Sequence, residues 1–210
     1  NFLAGGVTMH SGPEVNKLTI TGVPNGADLN DNETAFANIS NVEQMEYQAA
    51  AGAGAIDLTL SQNSENAGVR EVTVSGTYGT SVISVEGYAS GVKLTTGAGN
   101  DTVYGSDRAD TLLTGLGDDS IDAGGGNGAD SIDAGEGNNT INAGDGNDIV
   151  LAGSGNDTID AGAGDDSINA GTGIDSIDAG LGDDTIYGAQ NNDNIQGNAG
   201  DDTLVINSSY

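Results

Sequence analysis

The sequence predicts an all-β fold, a parallel β-solenoid, over most of its length. An apolar residue recurs every nine residues through the second half, and runs of alternating apolar and polar residues precede it. The composition agrees: with 36 Gly, 2 Pro, 2 Phe and no Trp among 210 residues, a thick globular core is excluded. We therefore expect thin layers of β-structure whose apolar side chains pack against one another.

The first half, residues 1–96, contains strand-like runs without a fixed period. These runs are 17–23, 55–61, 70–76, 81–88 and 92–96. No Pro-rich or Ser-rich linker separates them from the second half, so we expect a less regular β-solenoid or β-sheet that runs directly into the periodic part. The more polar residues 26–47 are expected to form a loop or a short helix.

The second half, residues 97–210, is a tandem array of twelve nine-residue repeats. The recurring apolar residue is found at Val103, Leu112, Ile121, Ile132, Ile141, Val150, Ile159, Ile168, Ile177, Ile186, Ile195 and Leu204. Every step is nine residues except the eleven from Ile121 to Ile132, where two extra glycines predict a loop insertion. We therefore expect one structural unit per repeat and a domain boundary near residue 96.

A single repeat reads A-G-x-G-N-D-T-I-x. Glycine at the second and fourth places permits a tight turn, and the remaining residues alternate as a short strand does. The large apolar residue and the alanine that opens the next repeat are expected to face inward. One such strand cannot bury its apolar side chain alone, so two repeats should form one turn of a stack, with a strand on each side.

Aspartate at the sixth place is the most regular polar feature. The chain has a formal net charge of -28, and 21 of the 22 acidic residues after residue 96 are Asp rather than Glu. The sixth place is Asn139 in one repeat and aspartate in the others: Asp101, Asp110, Asp119, Asp130, Asp148, Asp157, Asp166, Asp175, Asp184, Asp193 and Asp202. The shorter carboxylate is therefore required at this place.

Stacked aspartates need a cation between them. At the ~4.8 Å spacing of strands, two such charges repel by roughly 0.9 kcal/mol even at the dielectric constant of water. Calcium fits because it accepts six to eight oxygens, including the backbone carbonyls that glycine turns expose. Zinc and copper are disfavoured, since the chain has one His and no Cys. We expect roughly eight calcium ions, about one per stacked pair of loops.

The repeats resemble the G-G-x-G-x-D-x-U-x nonapeptides of the RTX (repeats-in-toxin) family. The resemblance implies a right-handed parallel β-roll in which loop carbonyls and the sixth-place Asp residues bind calcium. It assigns metal-binding roles to Gly144, Gly146, Gly153, Gly155, Gly162, Gly164, Gly171, Gly173, Gly180 and Gly182 beside the aspartates. Alanine replaces the first Gly of the motif, and Arg108, Asn191 and Asn139 depart from it at single places.

No catalytic constellation accompanies the repeats, so we expect that the chain is not an enzyme. His10 is the only histidine and has no paired acid and nucleophile. The excess of acidic over basic residues disfavours nucleic acid as a partner. No apolar run is long enough for membrane insertion. The expected partners are other copies of this chain and cell-surface polysaccharide.

Three functions are compatible with such a chain. The RTX resemblance favours a secreted structural protein of a bacterial surface layer (S-layer), exported by type I secretion from a Gram-negative type of bacterium. The alternative is the calcium-binding secretion and folding module of an RTX enzyme or toxin. An ice-binding or adhesive roll ranks lowest, because the third place of the repeat has only Thr172 and therefore no threonine ladder.

Overall fold

A computed structural model describes residues 7–10, 17–23, 27–28, 43–49, 56–60, 65, 68–75, 79–189 and 192–206. Their strands lie in two sheets. Sheet A contains β1 (Val7–His10), β2 (Lys17–Val23), β4 (Gln44–Ala49), β6 (Glu71–Ser75), β8 (Lys93–Thr95), β10 (Thr111–Leu113), β12 (Ser131–Asp133), β14 (Ile149–Leu151), β16 (Ser167–Asn169), β18 (Thr185–Tyr187) and β20 (Thr203–Val205). Sheet B contains β3 (Ala27–Asp28), β5 (Ile56–Thr59), β7 (Ser81–Ser84), β9 (Thr102–Tyr104), β11 (Ser120–Asp122), β13 (Thr140–Asn142), β15 (Thr158–Asp160), β17 (Ser176–Asp178) and β19 (Asn194–Gln196).

The predicted all-β parallel solenoid is confirmed. From β2 onward, successive strands alternate between the two sheets, and each pairs in parallel with the strand two places further along the chain. One turn of the stack therefore consists of two repeats, as predicted. The equivalent apolar residues lie directly above one another, as in the pair Ile168 and Ile186. Only β1 and β2 pair antiparallel among the described strands.

A thin core lies between the two sheets. In β16 the central Ile168 is fully buried, whereas Ser167 and Asn169 on either side face outward. The alanine that follows each strand from β11 to β17 is also buried, as Ala170 shows. The predicted inward pair of one large aliphatic residue and one alanine is thus confirmed, and it explains why the core needs no aromatic residue in the repeats.

The less regular half joins the repeats without a break in either sheet. Strand β8 pairs with β6 before it and with β10 after it, and β9 pairs in the same way with β7 and β11. The division of the chain into two domains at residue 96 itself stays a prediction. The extra glycines between Ile121 and Ile132 lie outside β11 and β12, as expected for a loop insertion.

The prediction for residues 26–47 was wrong where the structure describes them. Residues 27–28 belong to β3, and 44–47 begin β4; residues 29–42 lie outside the described part of the chain. The β4 sequence QMEYQA alternates strictly, and Met45 and Tyr47 are buried while Gln48 is exposed. Period-2 burial therefore outweighs the polar composition of this stretch. Strand β1 was also not predicted.

No helix within the described residues has the length and apolar character needed to cross a membrane.

Candidate metal centre

The sixth-place residues form two columns, one at each kind of turn between the sheets. Column 1 contains Asp101, Asp119, Asn139, Asp157, Asp175 and Asp193. Column 2 contains Asp110, Asp130, Asp148, Asp166, Asp184 and Asp202. The structure thus brings the predicted aspartates together one turn apart, which is the arrangement that the spacing predicts.

Each column is held by side-chain to backbone hydrogen bonds. The Oδ1 atom of a sixth-place residue accepts a bond from the N–H of the sixth-place residue one turn earlier, at 2.7 to 3.1 Å along both columns. For example, the N–H of Asp148 donates to Asp166 at 2.8 Å. One oxygen of each carboxylate is therefore used within the protein, a detail that the repeat pattern does not reveal.

Both columns begin earlier than the repeats suggest. The N–H of Ser81 donates to Asp101 at 2.6 Å, and the N–H of Val92 donates to Asp110 at 2.7 Å. Sequence reasoning missed these two residues because neither is an aspartate. The sequence signal that could have found Val92 is Leu94, which precedes Leu112 by two repeat lengths and so extends the same step of one turn.

The second carboxylate oxygen has no partner in most turns. It is buried and without a hydrogen bond in Asp101, Asp119, Asp148, Asp157, Asp166, Asp175 and Asp184. A buried carboxylate oxygen left in this state is strongly unfavourable. Because it needs a positive neighbour or a proton, each of these atoms marks a place that fits a cation.

Free backbone carbonyls lie in the same turns. Within the described repeats, no hydrogen bond reaches the carbonyl oxygens of the fourth-place glycines Gly146, Gly155, Gly164, Gly173 and Gly182. The second-place carbonyls are engaged, as when Gly144 accepts the N–H of Ala163 at 2.9 Å. The fourth-place glycines therefore fit the predicted ligand role better than the second-place ones.

Carboxylates alone do not complete a metal site here. Across the parts of the chain that the structure describes, no three acidic or histidine side chains are grouped so as to hold one ion. Calcium needs six to eight oxygens, so most would come from the backbone. This donor set of carboxylate and carbonyl oxygens suits a hard cation and does not suit zinc.

The glycines are required by the closeness of the turns. All ten glycines named as ligands adopt positive φ, as expected for the repeat. At Gly164 a Cβ atom would lie 1.6 Å from the carbonyl oxygen of Gly146 in the turn below. The turns can therefore stack this closely only because the residue at the fourth place has no side chain.

The comparison with protein families agrees with this geometry. The sequence model of the RTX calcium-binding nonapeptide repeat (4 copies) matches residues 95–128, 124–159, 143–177, 160–195 and 187–205. Together these segments cover more than half of the 210 residues. The chain belongs to the RTX calcium-binding family. Neither the curated proteins nor the solved structures gave a match.

RTX repeats bind calcium and are typical of proteins that bacteria secrete, so the chain carries the calcium-binding repeats of such proteins. The sixth-place aspartates and the fourth-place carbonyls are the groups that would hold the ion. Calcium bound there would supply positive charge to the orphaned carboxylate oxygens of the turns. The number of ions, roughly eight by sequence reasoning at about one per stacked loop pair, stays a prediction.

Not all sixth-place aspartates of the RTX array are alike. Asp110 is satisfied by the protein, because its Oδ2 accepts the N–H of Ser106 at 2.6 Å and both of its oxygens lie within 3.1 Å of the Ser106 hydroxyl. Asp193 and Asp202, near the end of the described stack, are less buried than the others. Asn191 lies outside the described residues. The best candidate ligands are therefore the aspartates with an orphaned oxygen.

Burial makes the charged form of these aspartates unfavourable. It raises the pKa of Asp130 and Asp166 to about 7 and the pKa of Asp119 and Asp157 to about 6, with the repulsion of other aspartates as a smaller cause. The pKa values of Asp101, Asp110, Asp148, Asp175 and Asp184 are also raised, chiefly by burial. Without a cation, the aspartates of the folded turns therefore bind protons more readily than an exposed aspartate does.

Acidification should promote folding of the calcium-free chain. Because the folded pKa values lie above the value of about 3.9 for an unfolded Asp, the folded state binds more protons than the unfolded state between about pH 4 and 7. Stability contributed in this way is lost as the pH rises through the folded pKa values. In buffer stripped of calcium by a chelating resin, far-ultraviolet circular dichroism should show more β-structure at pH 5 than at pH 8. An unchanged or weaker signal at pH 5 would contradict the burial of these aspartates.

Proposed function

We propose that this chain is a calcium-dependent structural protein, not an enzyme, whose copies assemble outside the cell into a layer such as a bacterial S-layer. The observation that carries the proposal is an apolar, weakly charged outer face on sheet A. The rest of the roll is strongly acidic, so this face offers the least repulsive route for a second copy to approach.

The apolar face is defined by β10, β14 and β18. Its largest exposed side chains are Ile149, which is 50% exposed, Leu151, which is 42% exposed, and Tyr187, which is 38% exposed. Ile149 and Leu151 occupy both outward places of β14, and they flank the buried Val150. Aliphatic side chains at both outward places of a strand cost free energy in water unless another surface covers them.

The outer face of sheet B has a different character. Asp122, Asp160 and Asp178 stand on its strands, and no aliphatic side chain faces outward from β11 to β19. The corresponding stretch of sheet A, from β10 to β18, carries Asp133 as its single outward acid. With a net charge of -28 on the chain, this asymmetry supports contact between copies through sheet A.

Calcium would make this contact possible in two ways. It would fold the turns that align β10, β14 and β18 on one surface, and its positive charge would offset the acidic columns at both edges of the sheet. Assembly should therefore follow calcium binding. The alternative function, a secretion and folding module of an RTX enzyme or toxin, needs the same repeats but no contact between copies.

Calcium addition should turn the dispersed chain into large particles, as measured by light scattering at high protein concentration. The variant Ile149→Asp with Leu151→Asp should fold with calcium but stay monomeric. Its matched control is Thr140→Asp with Ser176→Asp, which adds the same charge to the outer face of sheet B and should assemble as the unmodified chain does.

Two outcomes would overturn the proposal. A chain that folds with calcium yet remains monomeric would favour the secretion and folding module. Assembly that responds equally to both variants would show that sheet A is not the contact face.

A further inference from the structure

Asn139 occupies a sixth place with a neutral side chain. It is buried, and its Oδ1 accepts the N–H of Asp119 at 3.0 Å, as the aspartates do in the other turns. Its own N–H donates to Asp157 at 2.8 Å. Asn139 is therefore a full member of column 1, and it differs from its neighbours only at the second atom of its head group.

That second atom is an amide nitrogen with two carbonyl partners. The Nδ2 of Asn139 donates to the carbonyl oxygens of Gly137 and Ala152, each at 3.3 Å. Gly137 is the fourth-place glycine of the same repeat, and Ala152 is the first-place alanine one turn further on. The amide thus binds backbone oxygens from two successive turns.

The equivalent oxygens have no donor where the sixth place is Asp157. No hydrogen bond reaches the carbonyls of Gly155 and Ala170, and the Oδ2 of Asp157 is buried without a hydrogen-bond partner. Because the Oδ1 bond is the same in both turns, the Oδ2 of Asp157 corresponds to the Nδ2 of Asn139. One turn therefore has unpaired oxygens where the other has two hydrogen bonds.

We propose that the Asn139 turn is a metal-independent joint, in which the side-chain amide replaces the cation that the aspartate turns require. Its two N–H groups direct partial positive charge at the oxygens that would otherwise be ligands. A cation in this place would have to displace both hydrogen bonds and would meet no carboxylate from Asn139. The inference rests on calcium binding in the RTX turns and not on the assembly of copies.

The joint divides column 1 into two metal-binding segments. Asp101 and Asp119 lie on one side, and Asp157, Asp175 and Asp193 lie on the other. The neutral side chain also removes one like charge from beside Asp119 and Asp157. Column 2 has aspartate at every described sixth place and no such interruption. Among the described turns, only column 1 is therefore divided by a neutral sixth-place residue.

The test is the number of calcium ions bound per folded chain, measured by native mass spectrometry and checked by equilibrium dialysis. Asn139→Asp should bind at least one more ion than the unmodified chain, because it restores a carboxylate and removes the competing amide. Asp157→Asn should bind at least one fewer, yet it should fold with calcium, since its new amide can donate to Gly155 and Ala170.

A second measurement separates the joint from a general effect on folding. Hydrogen exchange at low calcium should show the backbone N–H of Asp119 protected in the unmodified chain and less protected in Asn139→Asp. Equal ion counts for the unmodified chain and Asn139→Asp would overturn the inference while leaving calcium binding intact. An unmodified chain that binds no calcium would instead overturn the role of the turns as a whole.

Discussion

In excess chelator at pH 7.5, the repeat half of the chain is expected to lose its β-structure, and calcium should restore it. The structure gives seven buried carboxylate oxygens without a partner. Each such atom costs about 1–3 kcal/mol, and more when it is charged. Together they can cancel the net stability of about 5–15 kcal/mol that is typical of a domain. Calcium reverses this cost by giving the same oxygens a ligand role.

Far-ultraviolet circular dichroism of the full chain measures the loss, and hydrogen exchange assigns it to residues 97–206 or to the earlier strands. Magnesium at the same concentration is the control, because it retains its water and prefers a smaller octahedral site, so it should restore little structure. A chain that keeps all of its β-structure in chelator at this pH would show that protons or backbone bonds suffice.

Replacing Gly164 with alanine should produce the largest effect of any single methyl group in the repeats. The added Cβ would lie 1.6 Å from the carbonyl oxygen of Gly146, and the residue has φ +138°, which residues other than glycine rarely adopt. Backbone atoms on both sides would have to move, at a cost of about 4 kcal/mol or more. With calcium at saturation, the melting temperature should fall by about 10 °C.

Gly125→Ala is the matched control. A Cβ atom at Gly125 would meet no atom within 4 Å. This glycine belongs to the loop insertion between β11 and β12, so the same chemical change should leave the melting temperature almost unaffected. Equal melting temperatures for the two variants would show that the turns are more open than the structure describes.

The sequence predicts much of the repeat half because burial, turn position and stacking each depend on a single residue of the repeat. Ile168 is buried because it recurs with its equivalents every nine residues, and Gly164 lies in a turn because its repeat places it there. The stacking of Asp148 over Asp166 follows from two repeats per turn. A strict period transmits local preferences to the whole array, so local and global information agree.

The remaining features depend on contacts between turns that the period does not specify. The bonds from the Ser106 hydroxyl to Asp110 arise because a serine replaces glycine at one second place, and their role appears only when the turn is folded. The amide of Asn139 reaches Ala152 thirteen residues away, in the next turn. Strand β4 was missed because its alternation lies within a polar segment. Composition and period therefore failed to predict the structure where it depends on a single contact or on a short alternation of apolar and polar residues.

The hydrogen bonds of the two columns give the roll a direction. Each sixth-place side chain accepts the N–H of the turn before it, as Asp166 does for Asp148, so every turn is completed by its successor. A roll lengthened or shortened by 18 residues would therefore end in the same chemical state as before. Energetically the array behaves as a one-dimensional chain of nearest neighbours. Its length can consequently change by gene duplication or deletion in whole turns, without any compensating change elsewhere in the protein.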